Sequence, residues 1–574
     1  MTSVRQEVRY HRLQGEENDE QEEVTVHLYS QSSRPVVQAR RRHAAVRICS
    51  SLLLLAVAIG FVLYELEYGR PESPSAKQSF HDHLDPPWNI STLEIDHHDV
   101  HHHSEKEHEG HQHGGDEQIG SLPPSHSHSA GTYHHAATLT DSESCSRVAR
   151  DVLQADGSVF DAGIAAVLCL AVVHPHAVSL GGIFSSIYII GKTQNASVLN
   201  AVPSKASPIS YGIPALLQGL WLLHQKHGRK PWADLFSPAI DLANRGFLVD
   251  SSLHAALEKN QDKARSSEGL QGLFYDQKIL KRMGASVVNV QLGNVLEIAK
   301  AMSDSALPDV LIQNLLSDIQ SADREKFREA LSEVHLKGED PVQIQLDGLT
   351  LYSSSAPTAG RILTTSVQEV YQNGRINVSS TISKLLINVS KTMYSMGHAW
   401  PPGNRSGGPQ MQPHLALVGS NVLVADADGD VLLIALTMNS TFGSGFVSPS
   451  TGILLSDFVG GASSAAYAPL SFWACPSLLS FGDYNDVVGL TGRGGSALPF
   501  TLAHVLLSHI LLQRELTESI NGTLTDLWPG DTDPWLKYFG LQSSEHETVM
   551  AVEVRAEHVH VVTSQNCSCH PAGL

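Results

Sequence analysis

Three consecutive imidazoles, His101, His102 and His103, sit in a tract that also holds His97, His98, His108, His111 and His113 among Asp and Glu. Imidazole suits zinc, copper and nickel. A tract of this kind can take up metal, zinc above all, weakly at overlapping sites. It can equally act as a solvated spacer whose charge rises as His titrates near about pH 6.5. A second place with the means for chemistry is Gly419-Ser420-Asn421, a run of small residues ahead of a strand-like stretch. Ser420 offers a hydroxyl there, a weak nucleophile that needs a base at short range. Cys145 and Cys169 bracket two helical stretches and are candidates for a disulfide, although Cys169 also fits a buried free thiol. For Cys567 and Cys569, near the C-terminal end, a bridge and two free thiols are both open.

The elements that must position these groups follow from period and punctuation. Val148–Leu153 and Val159–Val173 have helical spacing, and the second is apolar on every side. Ile183–Gly191 suits a buried strand. Helices are expected over Ile213–His227, opened by Pro214, over Pro231–Arg245, ended by Gly246, and over Arg361–Tyr371. Val342–Tyr352 alternates as a strand does. Leu415–Val418 and Val422–Ala425 are short strands, Asp426-Ala427-Asp428-Gly429 is a hairpin turn, and Val431–Thr437 is the return strand. Helices are expected to dominate from there through Phe500–Leu512, before a last strand pair, Thr548–Val554 and His558–Thr563. Helices and strands without strict alternation indicate an α+β layered fold.

The 574-residue chain carries 39 Lys+Arg and 59 Asp+Glu, a formal net charge of −20. That acidity excludes nucleic acid as a main partner, since phosphate binding needs clustered cations. Six cysteines are too few for a disulfide-built scaffold. Residues 1–43 are polar and lack hydrophobic periodicity, as expected of a disordered cytoplasmic tail. Arg40, Arg41, Arg42, His43 and Arg47 precede Ile48–Tyr64, which has no charged residue. A single membrane span over 44–66 is expected, with the basic side in the cytoplasm. The remainder is then lumenal or extracellular, as in a type II membrane protein. Asn-x-Ser/Thr sequons agree with that side: Asn89, Asn195, Asn377, Asn388, Asn404, Asn439, Asn521 and Asn566 all follow the span. Residues 67–135, rich in Pro and His, are a stalk, and the packed body starts near residue 136.

Several stretches of that body resemble the gamma-glutamyltransferase (glutathione hydrolase) family. The segment from Cys145 through Gly157-Ser-Val-Phe-Asp-Ala-Gly to Cys169, His174-Pro-His and Gly181-Gly182 is similar to the family's N-terminal signature. Ser355-Ala-Pro-Thr-Ala-Gly360, Asn439-Ser-Thr-Phe-Gly-Ser444, Ala468-Pro-Leu-Ser471 and Gly492-Arg-Gly-Gly495 are similar to later motifs. With its anchor and stalk the chain most resembles a membrane-anchored type of that family.

The resemblance implies a stacked αββα N-terminal-nucleophile fold, with a large-subunit-like region at 136–418 and a small-subunit-like region at 419–574. It implies self-cleavage before a threonine whose hydroxyl then attacks the gamma-glutamyl amide of glutathione. No cofactor is implied. Substrate-binding roles fall on Asn439, Asp457, Ser471 and the glycine pair Gly494 and Gly495, whose amides would form an oxyanion hole. The nucleophile column, however, holds Gly419. Ser420 stands one place later, and a one-residue slip turns a strand's side chain to the other face. The family's carboxylate-binding Arg is replaced by Val202, with Lys205 nearby as a point charge only. Asn439 is both a pocket residue and a sequon, and a glycan there would exclude substrate. The sequence therefore supports an enzyme of gamma-glutamyl compounds with weak or lost activity, a membrane-tethered binding protein, or a metal-buffering stalk.

Overall fold

A computed structural model describes residues 131–574, apart from 204–206, 208, 305, 335, 374–388, 390–418, 460–471, 483–485, 496, 527–546 and 557. The tail, the expected span at 44–66, His101, His102, His103, Asn89, Lys205, Asn377, Asn388, Asn404, Leu415–Val418 and Ser471 lie outside the described residues. Among the described residues no helix is long and apolar enough to cross a membrane.

Two seven-stranded antiparallel sheets form the centre. The first runs His570–Gly573, Ala136–Thr140, Ser420–Asp426, Val431–Thr437, Ile183–Ile190, Asn195–Ala201, Gly338–Glu339. The second runs Thr132–Tyr133, His558–Thr563, Thr548–Arg555, Val487–Arg493, Ser477–Ser480, Leu349–Ser353, Val342–Leu346. The period-2 alternation of each strand divides its side chains between two cores. Leu423, Ala425 and Leu433 of the first sheet meet Leu478, Val487, Met550 and Val552 of the second. Val422, Val424, Leu432 and Ile434 point the other way, into a core shared with the helix Val159–Val173. On the outer face of the second sheet, Leu351, Leu479, Val488 and Leu490 pack with the helices Gly360–Asn373 and Leu498–Leu512. The layers are helix, sheet, sheet, helix. Residues on both sides of 390–418 contribute strands to both sheets.

The helix Val159–Val173 is buried along its whole length, so it has no amphipathic face to orient it. Its start is fixed by a capping box in which Ser158 Oγ accepts from Asp161 N (3.1 Å) and Asp161 Oδ2 accepts from Ser158 N (2.9 Å). Its last turns are tied to the helix Glu143–Gln154 by the Cys145–Cys169 bond, with Cα atoms 5.4 Å apart.

Several elements differ from the sequence reading. Val342–Tyr352 is two strands, because Asp347 (φ 43°) and Gly348 (φ 98°) turn the chain back on itself between Leu346 and Leu349. Two positive φ values in succession are what a tight hairpin turn requires. Pro214 precedes its helix, which runs Leu216–His227 after a non-helical Ala215. The segment expected as one helix from Pro231 is a 3-10 turn, Trp232–Phe236, followed by the helix Ser237–Arg245. Pro238 has no N–H to return to the preceding turn, so the ladder restarts there. The region read as helical before Phe500 holds two strands, Ser477–Ser480 and Val487–Arg493, whose short apolar runs are buried on both faces. The folded body begins by Thr132, which pairs with His560.

Candidate functional site

Ser420 opens its strand opposite Leu436, and the neighbouring strand ends one residue later at Thr437. Asn421 lies on the face toward the second sheet and accepts a hydrogen bond from Thr491 Oγ1 at 2.8 Å. Two residues after Thr491, Arg493 closes its own strand. The starts and ends of three strands from two sheets therefore converge at one rim.

Asp141 joins them. It follows the strand Ala136–Thr140 and is 2% exposed. Its Oδ2 accepts from Ser420 Oγ (2.5 Å) and from Asn421 N (3.2 Å). Its Oδ1 lies 3.4 Å from Arg493 Nη2. Arg493 Nε also donates to Thr548 Oγ1 at 3.2 Å. A buried carboxylate requires such donors, because an uncompensated charge is costly to desolvate. Ser420 itself is 1% exposed, so its hydroxyl serves as a buried donor to Asp141 in this structure.

Gly419 has φ 152°, and a Cβ built on it would stand 2.7 Å from the Leu436 carbonyl oxygen. Both facts exclude a side chain in that backbone conformation. The position that the family resemblance assigns to the nucleophile is thus shaped for glycine.

A second cluster follows the strand Val431–Thr437 directly. Asp457 Oδ1 accepts from Ser440 N (3.0 Å) and Asn439 Nδ2 (3.3 Å), and its Oδ2 accepts from Ser440 Oγ (2.5 Å). Lys263 donates to Ser440 Oγ (3.1 Å) and the Thr441 carbonyl (2.9 Å), and burial lowers its pKa while Asp457 opposes that shift. Asn439 and Asp457 are therefore brought together, as the sequence suggested, but much of the hydrogen-bonding capacity of Asp457 is committed to its own loop. Gly494 and Gly495 follow Arg493. A Cβ at Gly494 would meet Glu547 Cγ at 2.9 Å, so Gly494 lets that buried acid approach the strand end.

Glu547 accepts from Thr501 Oγ1, and its carboxyl is pushed up to about 7 by burial. His174 Nε2 pairs with Asp250 Oδ2 at 2.5 Å, and its ring stands 4.9 Å from that of His176. Burial holds His176 well below its ordinary pKa, with His174 and Arg493 adding to the effect. Burial would raise Asp250, but the His174 hydrogen bond and charge bring it down to about 2.

Among the sequons, Asn195 and Asn566 are exposed, although Asn566 Nδ2 donates to the Glu547 carbonyl (3.1 Å), and Asn521 is half-buried. Sequence reasoning missed Asp141, Thr491 and Arg493. Arg493 stood inside a quoted motif whose glycines drew the attention. Asp141 directly follows the apolar and small run Ala136–Thr140, a place that could have marked it as buried and partnered.

A family model described as gamma-glutamyltranspeptidase matches residues 145–401. Glutathione hydrolase 6 of Mus musculus is 32% identical over 400 residues, covering 68% of this chain and 72% of that protein. Glutathione hydrolase 6 of Homo sapiens is 31% identical over 466 residues, covering 79% of this chain and 81% of that protein. Among solved structures, a cephalosporin acylase from Bacillus halodurans superposes with a TM-score of 0.58 at 16% identity, covering 80% of this chain and 99% of that one, which speaks to the fold alone. On these matches, together with the layered fold and the motifs that line its rim, the chain belongs to the gamma-glutamyltranspeptidase, or glutathione hydrolase, family.

Proposed function

We infer that the chain keeps a family scaffold for gamma-glutamyl compounds such as glutathione while its power to split their amide bond is weak or lost. The observation that carries this reading is Gly419: the backbone there has no room for the attacking side chain, and the adjacent Ser420 hydroxyl is buried against Asp141. Loss of a catalytic nucleophile lowers turnover by orders of magnitude. The chain then acts as a membrane-tethered protein, held by a single span at 44–66 with its glycosylated body on the lumenal or extracellular side.

The test is glutamate release from glutathione by the purified full-length chain, read beside a denaturing gel. The expected result is one uncut body and no release above background. Two fragments with a new N-terminus at 419 or 420, and turnover that Ser420→Ala abolishes, would overturn the reading. Gly419→Thr is expected to restore nothing. It should lower stability by about 1–3 kcal/mol, since a branched residue is forced into a conformation reserved for glycine. A shift in thermal midpoint checks this, and glutamate release after the substitution would refute it.

A further inference from the structure

Residues 274–290 turn back on themselves twice. A short hairpin pairs Tyr275 with Leu280 and Asp276 with Ile279. The chain then reverses again through Met283 and Gly284, whose N–H donates to the Val249 carbonyl at 2.8 Å. That bond, with the pairing of Ser286 and Leu248, lays the second turn beside Leu248. We propose that this double turn docks on the surface of a lipid bilayer. Leu248, Ile279 and Met283 enter the boundary of the acyl chains, while Lys278, Lys281 and Arg282 meet headgroup phosphates. The proposal stands on the folded body alone and does not depend on a span at 44–66.

The first support is exposure against the local packing. Ile279, Leu248 and Met283 are 68%, 67% and 64% exposed, while Phe247, Val249, Phe274 and Val287 of the same segments are buried. Single exposed apolar residues are ordinary on a protein surface. Three joined by one hydrogen-bonded double turn mark an interaction site.

The second is charge. Residues 275–290 hold three cations, Lys278, Lys281 and Arg282, against one acid, Asp276, in a chain whose net charge is −20. Apolar groups flanked by cations are what let an amphipathic segment lie in a headgroup layer, with its apolar side about 5–10 Å into the acyl boundary. The cations favour phosphate there. A symmetric contact with a second copy would instead bring two cationic patches face to face. A protein partner would need a pocket shaped for each apolar side chain, whereas acyl chains take any shape.

The third is the backbone of the tip. Gln277 (φ 46°) and Lys278 (φ 69°) both lie in the left-handed region, where tight hairpin turns favour Asn and Gly. Such a conformation persists when its surroundings hold it, and it clusters at functional sites. Here Tyr275 and Leu280 pack against the main core and hold the tip that presents Ile279.

The test is lipid photolabelling of the full-length chain in vesicles of phosphatidylcholine and phosphatidylserine that carry a photoactivatable acyl chain, with the labelled peptides mapped by mass spectrometry. Label is expected on Ile279 and Met283. Ile279→Ser with Met283→Ser should lower it by about tenfold or more and leave the thermal midpoint unchanged, since both side chains are exposed. Lys278→Gln, Lys281→Gln and Arg282→Gln together should lower it several-fold, with a smaller effect at high salt. If the serine variant does not fold, the charge variant decides. Label on 44–66 is read separately and reports the span alone. Absence of label from 275–290 would overturn the proposal whether or not 44–66 is labelled. So would label that survives both sets of substitutions, or protein–protein crosslinks at Ile279 in place of lipid, which would assign the patch to another chain.

Discussion

Replacing Asp141 with alanine is expected to lower the unfolding free energy by about 3–5 kcal/mol, the cost of breaking a buried ion pair from one side. The loss has three parts. Arg493, whose side chain is 15% exposed, keeps its charge but loses its carboxylate. The Ser420 hydroxyl, 1% exposed, loses its acceptor. The Asn421 amide loses the same oxygen. Because two strands and a loop meet through this carboxylate, the midpoint in urea should fall while the slope of the transition stays constant. Adding Arg493→Met to Asp141→Ala should recover part of the loss, since the orphaned charge is removed with its partner. A midpoint for Asp141→Ala within error of the parent would show that the network does not hold the rim together.

The second large effect is a pH dependence centred on Glu547. Burial raises its pKa from 4.5 to about 7. Between those values the folded state holds a proton that the unfolded chain has released, so stability falls as pH rises through the window. The full loss is about 3 kcal/mol above pH 7. Burial also raises Asp426 to about 7, which acts in the same direction. His176, kept neutral by burial, acts oppositely below about pH 6.5, where the unfolded chain takes up a proton that the fold refuses. The difference between parent and Glu547→Gln isolates the glutamate. The variant's thermal midpoint should match the parent's near pH 5 and exceed it near pH 8. Equal differences at both pH values would show that Glu547 does not titrate in the expected window.

How far the sequence revealed this molecule depended on the reach of each signal. Local signals were sufficient for Val159–Val173, where fourteen of fifteen residues are small or apolar and admit few alternatives, and for the Asp426–Gly429 turn, whose Asp-Gly pair encodes its own reversal. Asn439 and Asp457 could be named from motif similarity, because their loop is held by bonds among its own residues. The Asp141 network was out of reach. It joins residues 141, 420, 491 and 493, and its logic lies in a convergence of strand ends that no local window contains. The strands Ser477–Ser480 and Val487–Arg493 were hidden for a related reason. Residues buried between two layers show little polar alternation, so neither period stands out.

The outermost strand pair of the first sheet sets the pace at which this protein can mature. Ala137 faces Gly573 across that edge, a sequence separation of 436 residues. At roughly 5–20 residues per second, a ribosome needs about 20–90 s to make the intervening chain. For about two thirds of that time Ala136–Thr140 waits without either neighbour, since its other partner, Ser420–Asp426, also arrives late. Such long-range pairing slows folding and leaves unpaired edges exposed. A nascent chain of this architecture should therefore depend on chaperones that shield strand edges until the closing strand pairs, and any variant that delays that strand should prolong the dependence.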